Sequence, residues 1–129
     1  MNVKLETKER FHVIKMLSPK ASAIMAEELN TLVINCLKTP IKNIIIDMEL
    51  VEDIEPSFAQ NLIGLQEKAL EDNRSLVMFH LHKNASKKLE EMDIIDMLNI
   101  TPTESEAWDI IHMEEMEREM FGDDEKQVN

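Results

Sequence analysis

The chain reads as an α/β domain built on a largely parallel sheet, and three observations lead there. β-rich runs alternate with helical periods along most of the sequence, a pattern that implies right-handed crossovers. Asn43-Ile44-Ile45-Ile46-Asp47-Met48 is a β-branched run of the kind buried on both faces of a sheet. The 129 residues suffice for one hydrophobic core and are too few for two.

The elements follow in order. Val3-Lys4-Leu5-Glu6-Thr7 alternates apolar and polar as a half-buried strand does, and Phe11 to Leu17 forms a second strand after the polar break Lys8-Glu9-Arg10. Ser18-Pro19 is a cap-plus-proline helix start, and the helix it opens carries Met25, Leu29, Leu32, Val33 and Cys36 on one face. Thr39-Pro40 ends it, because the residue before proline is pushed out of helical geometry. After the Asn43 to Met48 strand, Glu55-Pro56-Ser57 starts a helix with Phe58, Leu62, Leu65 and Ala69 on one stripe. Ser75 to His82 is the next β-rich run. Asn84 caps a short helix holding Leu89 and Met92, and Asn99-Ile100-Thr101 is a last strand. Thr103 with Glu106 makes a capping box for the final helix, whose inward residues are Ala107, Trp108, Ile110 and Ile111. The order is therefore β-β-α-β-α-β-α-β-α, with a domain over residues 1–118 and an acidic, frayed tail over 119–129.

Composition removes several functions. The net charge of −12 argues against a surface that neutralises nucleic-acid phosphates or anionic lipid. Residues 104–129 hold ten acids and two bases, a net −8, which leaves only −4 on residues 1–103. One cysteine, Cys36, makes neither an internal disulfide nor a cysteine zinc site, so a reducing cytoplasm is the expected setting. Gly64 and Gly122 are the only glycines and supply neither a Walker P-loop nor a dinucleotide fingerprint. No segment reaches the roughly 18 consecutive apolar residues of a membrane span, and Met1-Asn2-Val3-Lys4 does not open an apolar signal.

Few clusters carry chemistry. His80-Leu81-His82 sets two imidazoles on one face at a strand's end, but no third ligand of matching spacing is visible and no metal site is expected. Asp47 closes a buried strand as the acceptor aspartate of receiver domains does. The acidic pair and the lysine that such domains require are missing. Cys36 lies on an apolar stripe, where a free thiol is usually inert, and Ser57 has no partnered histidine in the sequence. No catalytic residue and no cofactor is expected. Met113, Met116 and Met120 form a stripe in the acidic end of the last helix, read either as a docking face, including for a homodimer, or as packing.

The stretch from Asn43 to Trp108 resembles the STAS family, shared by anti-sigma-factor antagonists and the cytoplasmic tails of sulphate transporters. The likeness is one of pattern: the apolar strand Ile44 to Asp47, its loop to Ile54, and the run Leu89 to Trp108 with Pro102 before the last helix. It implies a mixed sheet of five strands with four helices. In the family, a helix start of Asp-Ser-Ser/Thr-Gly is phosphorylated on its first serine. Here the corresponding residues are Glu55-Pro56-Ser57-Phe58. Proline takes the acceptor position and has no hydroxyl, the glycine has become phenylalanine, and Ser57 survives as a substitute acceptor. Either the domain docks without phosphorylation control, the favoured reading, or Ser57 has assumed that role.

The resemblance implies a regulatory binding module rather than an enzyme. Its partner would be an anti-sigma factor or a serine kinase of the histidine-kinase-like ATPase type, docked around Glu55, Pro56, Ser57, Phe58, Asn61, Leu62 and Asn84. The alternative is a small-ligand or metal-binding domain with a pocket near Asp47, His80 and His82.

Overall fold

A computed structural model describes residues 2–128, with side chains through residue 120. The elements are β1 (Val3–Thr7), β2 (Phe11–Met16), β3 (Lys20–Ala21), α1 (Ala23–Cys36), β4 (Asn43–Asp47), β5 (Asp53–Ile54), α2 (Pro56–Glu71), β6 (Ser75–Phe79), α3 (Lys83–Glu91), β7 (Ile100–Thr101) and α4 (Glu104–Val128). A single 3-10 turn, Ile95–Met97, precedes β7. Five strands form one sheet in the order β1-β2-β4-β6-β7, with β1 antiparallel to β2 and every other pair parallel. This is the mixed five-strand, four-helix architecture expected from the alternation.

The pleat divides the core in two. Ile14, Met16, Ile44, Ile46, Leu76 and Met78 point to one face, where Leu29, Val33, Phe58, Leu62, Ala85 and Leu89 cover them from α1, α2 and α3. Phe11, Ile45, Val77 and Phe79 point the other way and meet Ala107 and Ile111 of α4. Trp108 packs edge-on against Phe11 with ring centroids 3.6 Å apart. The Ile44-Ile45-Ile46 run is thus buried on both faces, as its composition predicts.

Two starts differ from the sequence reading. Ser18 does not cap α1. Ser22 does, accepting from the Met25 amide at 3.4 Å, because Lys20 and Ala21 are drawn into a parallel ladder with Asp53 and Ile54. Likewise Asn84 does not cap α3: His82 takes that place, its Nδ1 accepting from the Asn84 amide at 3.1 Å. Thr103 caps α4 as expected, the Glu106 amide donating to Thr103 Oγ1 at 3.2 Å. The Glu106 carboxylate accepts from the Thr103 hydroxyl at 3.2 Å instead of from the Thr103 amide, so only half of the expected box forms. α4 runs on to Val128, through the segment expected to be a frayed tail; side chains from residue 121 onward lie outside the described residues.

The amino-terminal edge of the parallel strands is closed by polar side chains. Arg74 donates to the carbonyls of Leu37 at 2.7 Å, Ile41 at 2.8 Å and Cys36 at 3.3 Å, placing a cation against the carboxyl end of α1. His12, only 2% exposed, sits between two threonines. The Thr39 hydroxyl donates to the Cys36 carbonyl at 2.8 Å and so accepts from His12 Nε2 at 2.8 Å, which leaves Nδ1 to accept from Thr7 at 3.0 Å. On the α4 side, Arg118 donates to Ser75 Oγ at 2.8 Å and to Asn43 Oδ1 at 3.3 Å. Burial pushes the Cys36 thiol up to about 11, against a smaller opposing pull from Arg74, which keeps it protonated and inert.

Arg74→Ala leaves three carbonyls without their donor, and charged hydrogen bonds of this kind contribute about 1.5–3 kcal/mol each before relaxation. Urea unfolding of the variant should show a loss of about 2–3 kcal/mol. His12 gives a second test. Burial first, and the Arg74 charge second, hold its imidazole below the usual range in the folded chain. Its contribution to stability is therefore full above the unfolded pKa of about 6.5 and is lost as the pH falls from there through the lower folded value. Unfolding free energy should decline between pH 7 and 5.5, and the decline should be shallower in His12→Gln.

Candidate functional site

The loop from β4 to α2 is positioned by the short β3–β5 ladder. The amides of Glu52 and Asp53 donate to the Pro19 carbonyl at 2.8 and 3.0 Å, and the Glu55 amide to the Ala21 carbonyl at 2.9 Å. Val51 and Ile54 are fully buried beneath this loop and pin it to the core. α2 therefore begins at a fixed place on the carboxyl edge of the sheet. Pro56 occupies its first turn, where the missing N–H costs nothing. Glu55 stands at the cap position, half-buried, without a capping hydrogen bond from its side chain.

The predicted docking residues divide sharply. Pro56 and Ser57 are exposed, as is Asn84 on the first turn of α3. Phe58 and Leu62 are each 0% exposed, locked in the core against the sheet, so their side chains are no part of a surface. The correction has a plain cause: both lie on the apolar stripe of α2 that faces inward. Asn61 is half-buried and committed, exchanging two 2.8 Å amide hydrogen bonds with Asn30 of α1. Next to Ser57 on the outward stripe, which runs on through Glu67, Lys68 and Glu71, stand Gln60 and Gly64, both exposed. A β-carbon added at Gly64 would meet nothing within 4 Å, so the backbone of α2 lies open there. Neither Gln60 nor Gly64 is among the docking residues that the sequence suggests, although both stand opposite the apolar stripe by helical spacing.

Neighbouring groups extend this surface. Lys88 of α3 hydrogen-bonds Asp53 at 2.7 Å, and that contact holds the Asp53 carboxyl below the usual carboxylate range. Lys83 and Lys87 are exposed on the same short helix. Leu50 in the β4–α2 loop and Leu17 after β2 are 44% and 39% exposed. The edge thus combines apolar, amide and basic groups with the loop acids Glu49, Glu52, Asp53 and Glu55, of which Asp53 is paired with Lys88.

The alternative site near Asp47, His80 and His82 does not assemble as expected. β6 stops at Phe79 because His80 takes a left-handed conformation, φ 59°, so His80 and His82 no longer share a strand face. His82 is occupied in capping α3. His80 turns instead toward Asp47, with Nδ1 3.4 Å from Asp47 Oδ1 and 4.0 Å from Glu49 Oε2. A separate open groove of about 610 Å³ lies between α3 and β7, lined by Leu81, Ser86, Glu90 and Ile100 among others, and contains neither Asp47 nor His80. Met113, Met116 and Met120 are all more than half exposed on α4.

Comparison with known proteins supplies a family. The model of the STAS domain matches residues 2–107. No curated protein gives a match. Among solved structures, unphosphorylated SpoIIAA, an anti-sigma factor antagonist described elsewhere as a Bacillus cell fate determinant, superposes with a TM-score of 0.68. It is 16% identical over 85% of this chain and 96% of its own. An anti-sigma factor antagonist from Mycobacterium paratuberculosis gives 0.72 at 14% identity, over 85% of this chain and 92% of that one. A serine-to-glutamate variant of RsbS from Moorella thermoacetica gives 0.70 at 14% identity, over 87% and 96%. At such identities these likenesses show the fold.

The division of α2 into buried and exposed residues is open to measurement. Phe58→Ala should cost about 3–5 kcal/mol in urea unfolding, the usual range for emptying an aromatic core site. Ser57→Ala, on the exposed stripe, should stay within about 0.5 kcal/mol of the parent.

Proposed function

The chain belongs to the STAS domain family, and on that premise we propose that it is a non-catalytic regulatory module that binds a partner protein. The partner class is the one the family likeness suggests: an anti-sigma factor or a serine kinase of the histidine-kinase-like ATPase type, met in the cytoplasm. The docking surface is the carboxyl edge of the sheet, centred on Pro56, Ser57, Gln60 and Gly64 and extended by Glu55, Leu50 and Asn84. One observation carries the reading. The outward stripe of α2 is exposed, polar and bare of bulky side chains at Gly64, while its inward stripe is wholly consumed by the core.

Control by phosphate at the usual position is lost in this proposal. Pro56 occupies the acceptor position and offers no hydroxyl. The Ser57 hydroxyl is exposed one residue on, so its modification is a matter of chemistry that a kinase would have to reach rather than of burial. The methionine stripe of α4 is not assigned to a homodimer. Glu114, Glu115, Glu117 and Glu119 flank it, and pairing two copies would bring these acids together.

Capture from native lysate, followed by reconstitution with the purified partner, tests the proposal. A kinase-type ATPase should bind stoichiometrically, and Gly64→Arg should weaken binding at least tenfold while leaving the unfolding midpoint near that of the parent. Mass spectrometry of protein from growing cells should find Ser57 unmodified; a phosphate there would mean that regulation has moved by one residue.

A further inference from the structure

Three donor groups converge at the carboxyl edge of the two central strands. Asp47 ends β4, and its register partner on β6 is Phe79, so His80 emerges directly beside it. Glu49 follows two residues after Asp47, and its amide donates to Asp47 Oδ1 at 3.0 Å, which curls the loop back toward the strand end. The left-handed turn at His80, with its ring held edge-on to the buried Phe79 at a centroid distance of 4.6 Å, directs the imidazole at the same point. One nitrogen and two carboxylate oxygens consequently lie within 4.8 Å of one another.

These separations suit a small cation. Two donors bound at about 2.0–2.1 Å in tetrahedral geometry stand about 3.3–3.4 Å apart. The His80–Asp47 separation is 3.4 Å. The Glu49 oxygen, 4.0 Å from the imidazole, belongs to a side chain 59% exposed and free to close the remaining distance. An imidazole with two carboxylates favours a divalent first-row transition ion over calcium or magnesium, which take oxygen-only shells. We propose that Asp47, Glu49 and His80 bind such an ion, with His80 Nδ1 as the nitrogen ligand and the remaining coordination position facing solvent. On binding, the metal takes the place of the Nδ1 proton that faces Asp47, and the neutral ring carries its proton on Nε2. The site lies on the α4 side of the sheet, at the same edge as the proposed docking surface, and none of its three donors is among the residues of that surface.

Zn²⁺ alone, titrated into the full chain by calorimetry, tests this. One ion per chain should bind, with the His80 imidazole resonances shifting in step. His80→Asn keeps a residue that tolerates the left-handed backbone, and it should lose at least tenfold in affinity. Glu49→Gln, on an exposed side chain whose loss cannot unfold the domain, should also bind more weakly. His112→Gln, on α4, should bind as the parent does. Absence of saturable one-to-one binding, or undiminished binding in His80→Asn, overturns the site.

Discussion

Two strands buried on both faces set the terms for everything else in this molecule. β4 and β6 carry apolar side chains above and below the sheet, so neither layer of helices is dispensable. α1, α2 and α3 fill one side, and α4 alone must fill the other. Because the central strands run parallel, their unpaired ends are sorted by polarity of direction: amino ends at one edge, carboxyl ends at the other. The amino edge is where the crossovers return from the helices, and it is closed by Arg74, His12, Asn43, Ser75 and Arg118. Those hydrogen bonds satisfy carbonyls and amides that burial would otherwise leave unpartnered, at a cost of about 1–3 kcal/mol apiece. The carboxyl edge is thereby left to the loops, and the proposed docking stripe and the Asp47 cluster both lie there.

Much of this architecture was legible in the residues because burial has a period. Ile44-Ile45-Ile46 announces a strand covered twice, and Phe58, Leu62, Leu65 and Ala69 announce the inward face of α2 at helical spacing. The same spacing already assigned Phe58 and Leu62 to the core, so placing them on a docking surface set proximity to the helix start above the periodicity. Gln60 and Gly64, opposite that stripe, were available to the same reasoning.

What stayed hidden was non-local. Strands of two residues have no period, so the β3–β5 ladder leaves no trace in the sequence, although it decides that Ser22 rather than Ser18 caps α1. The left-handed turn at His80 is equally silent. It ends β6 early, sends His82 to cap α3 and turns His80 toward Asp47, thereby exchanging a pair of histidines for a mixed nitrogen and oxygen cluster.

Under the proposed reading, the start of α2 is a site held in one state on the scaffold of the family. A phosphate at a helix N-terminus adds about −1.5 to −2 charge where backbone amides are free to bind it. Pro56 removes both the hydroxyl that would carry the phosphate and one of the amides that would greet it, while holding the first turn in helical geometry. Glu55 keeps one negative charge beside the positive end of the helix, an interaction of about 0.3–1 kcal/mol that is permanent rather than switched. Phe58, which the family likeness sets in the place of a glycine, is buried in the core and ties the helix start to it. On that reading, each of the three residues trades adjustability for rigidity at the same turn. Under the proposed reading, a surface built this way presents one shape and one charge to its partner at all times. Control of the complex then falls to the partner's own state or to the abundance of this chain, and not to a modification at Pro56.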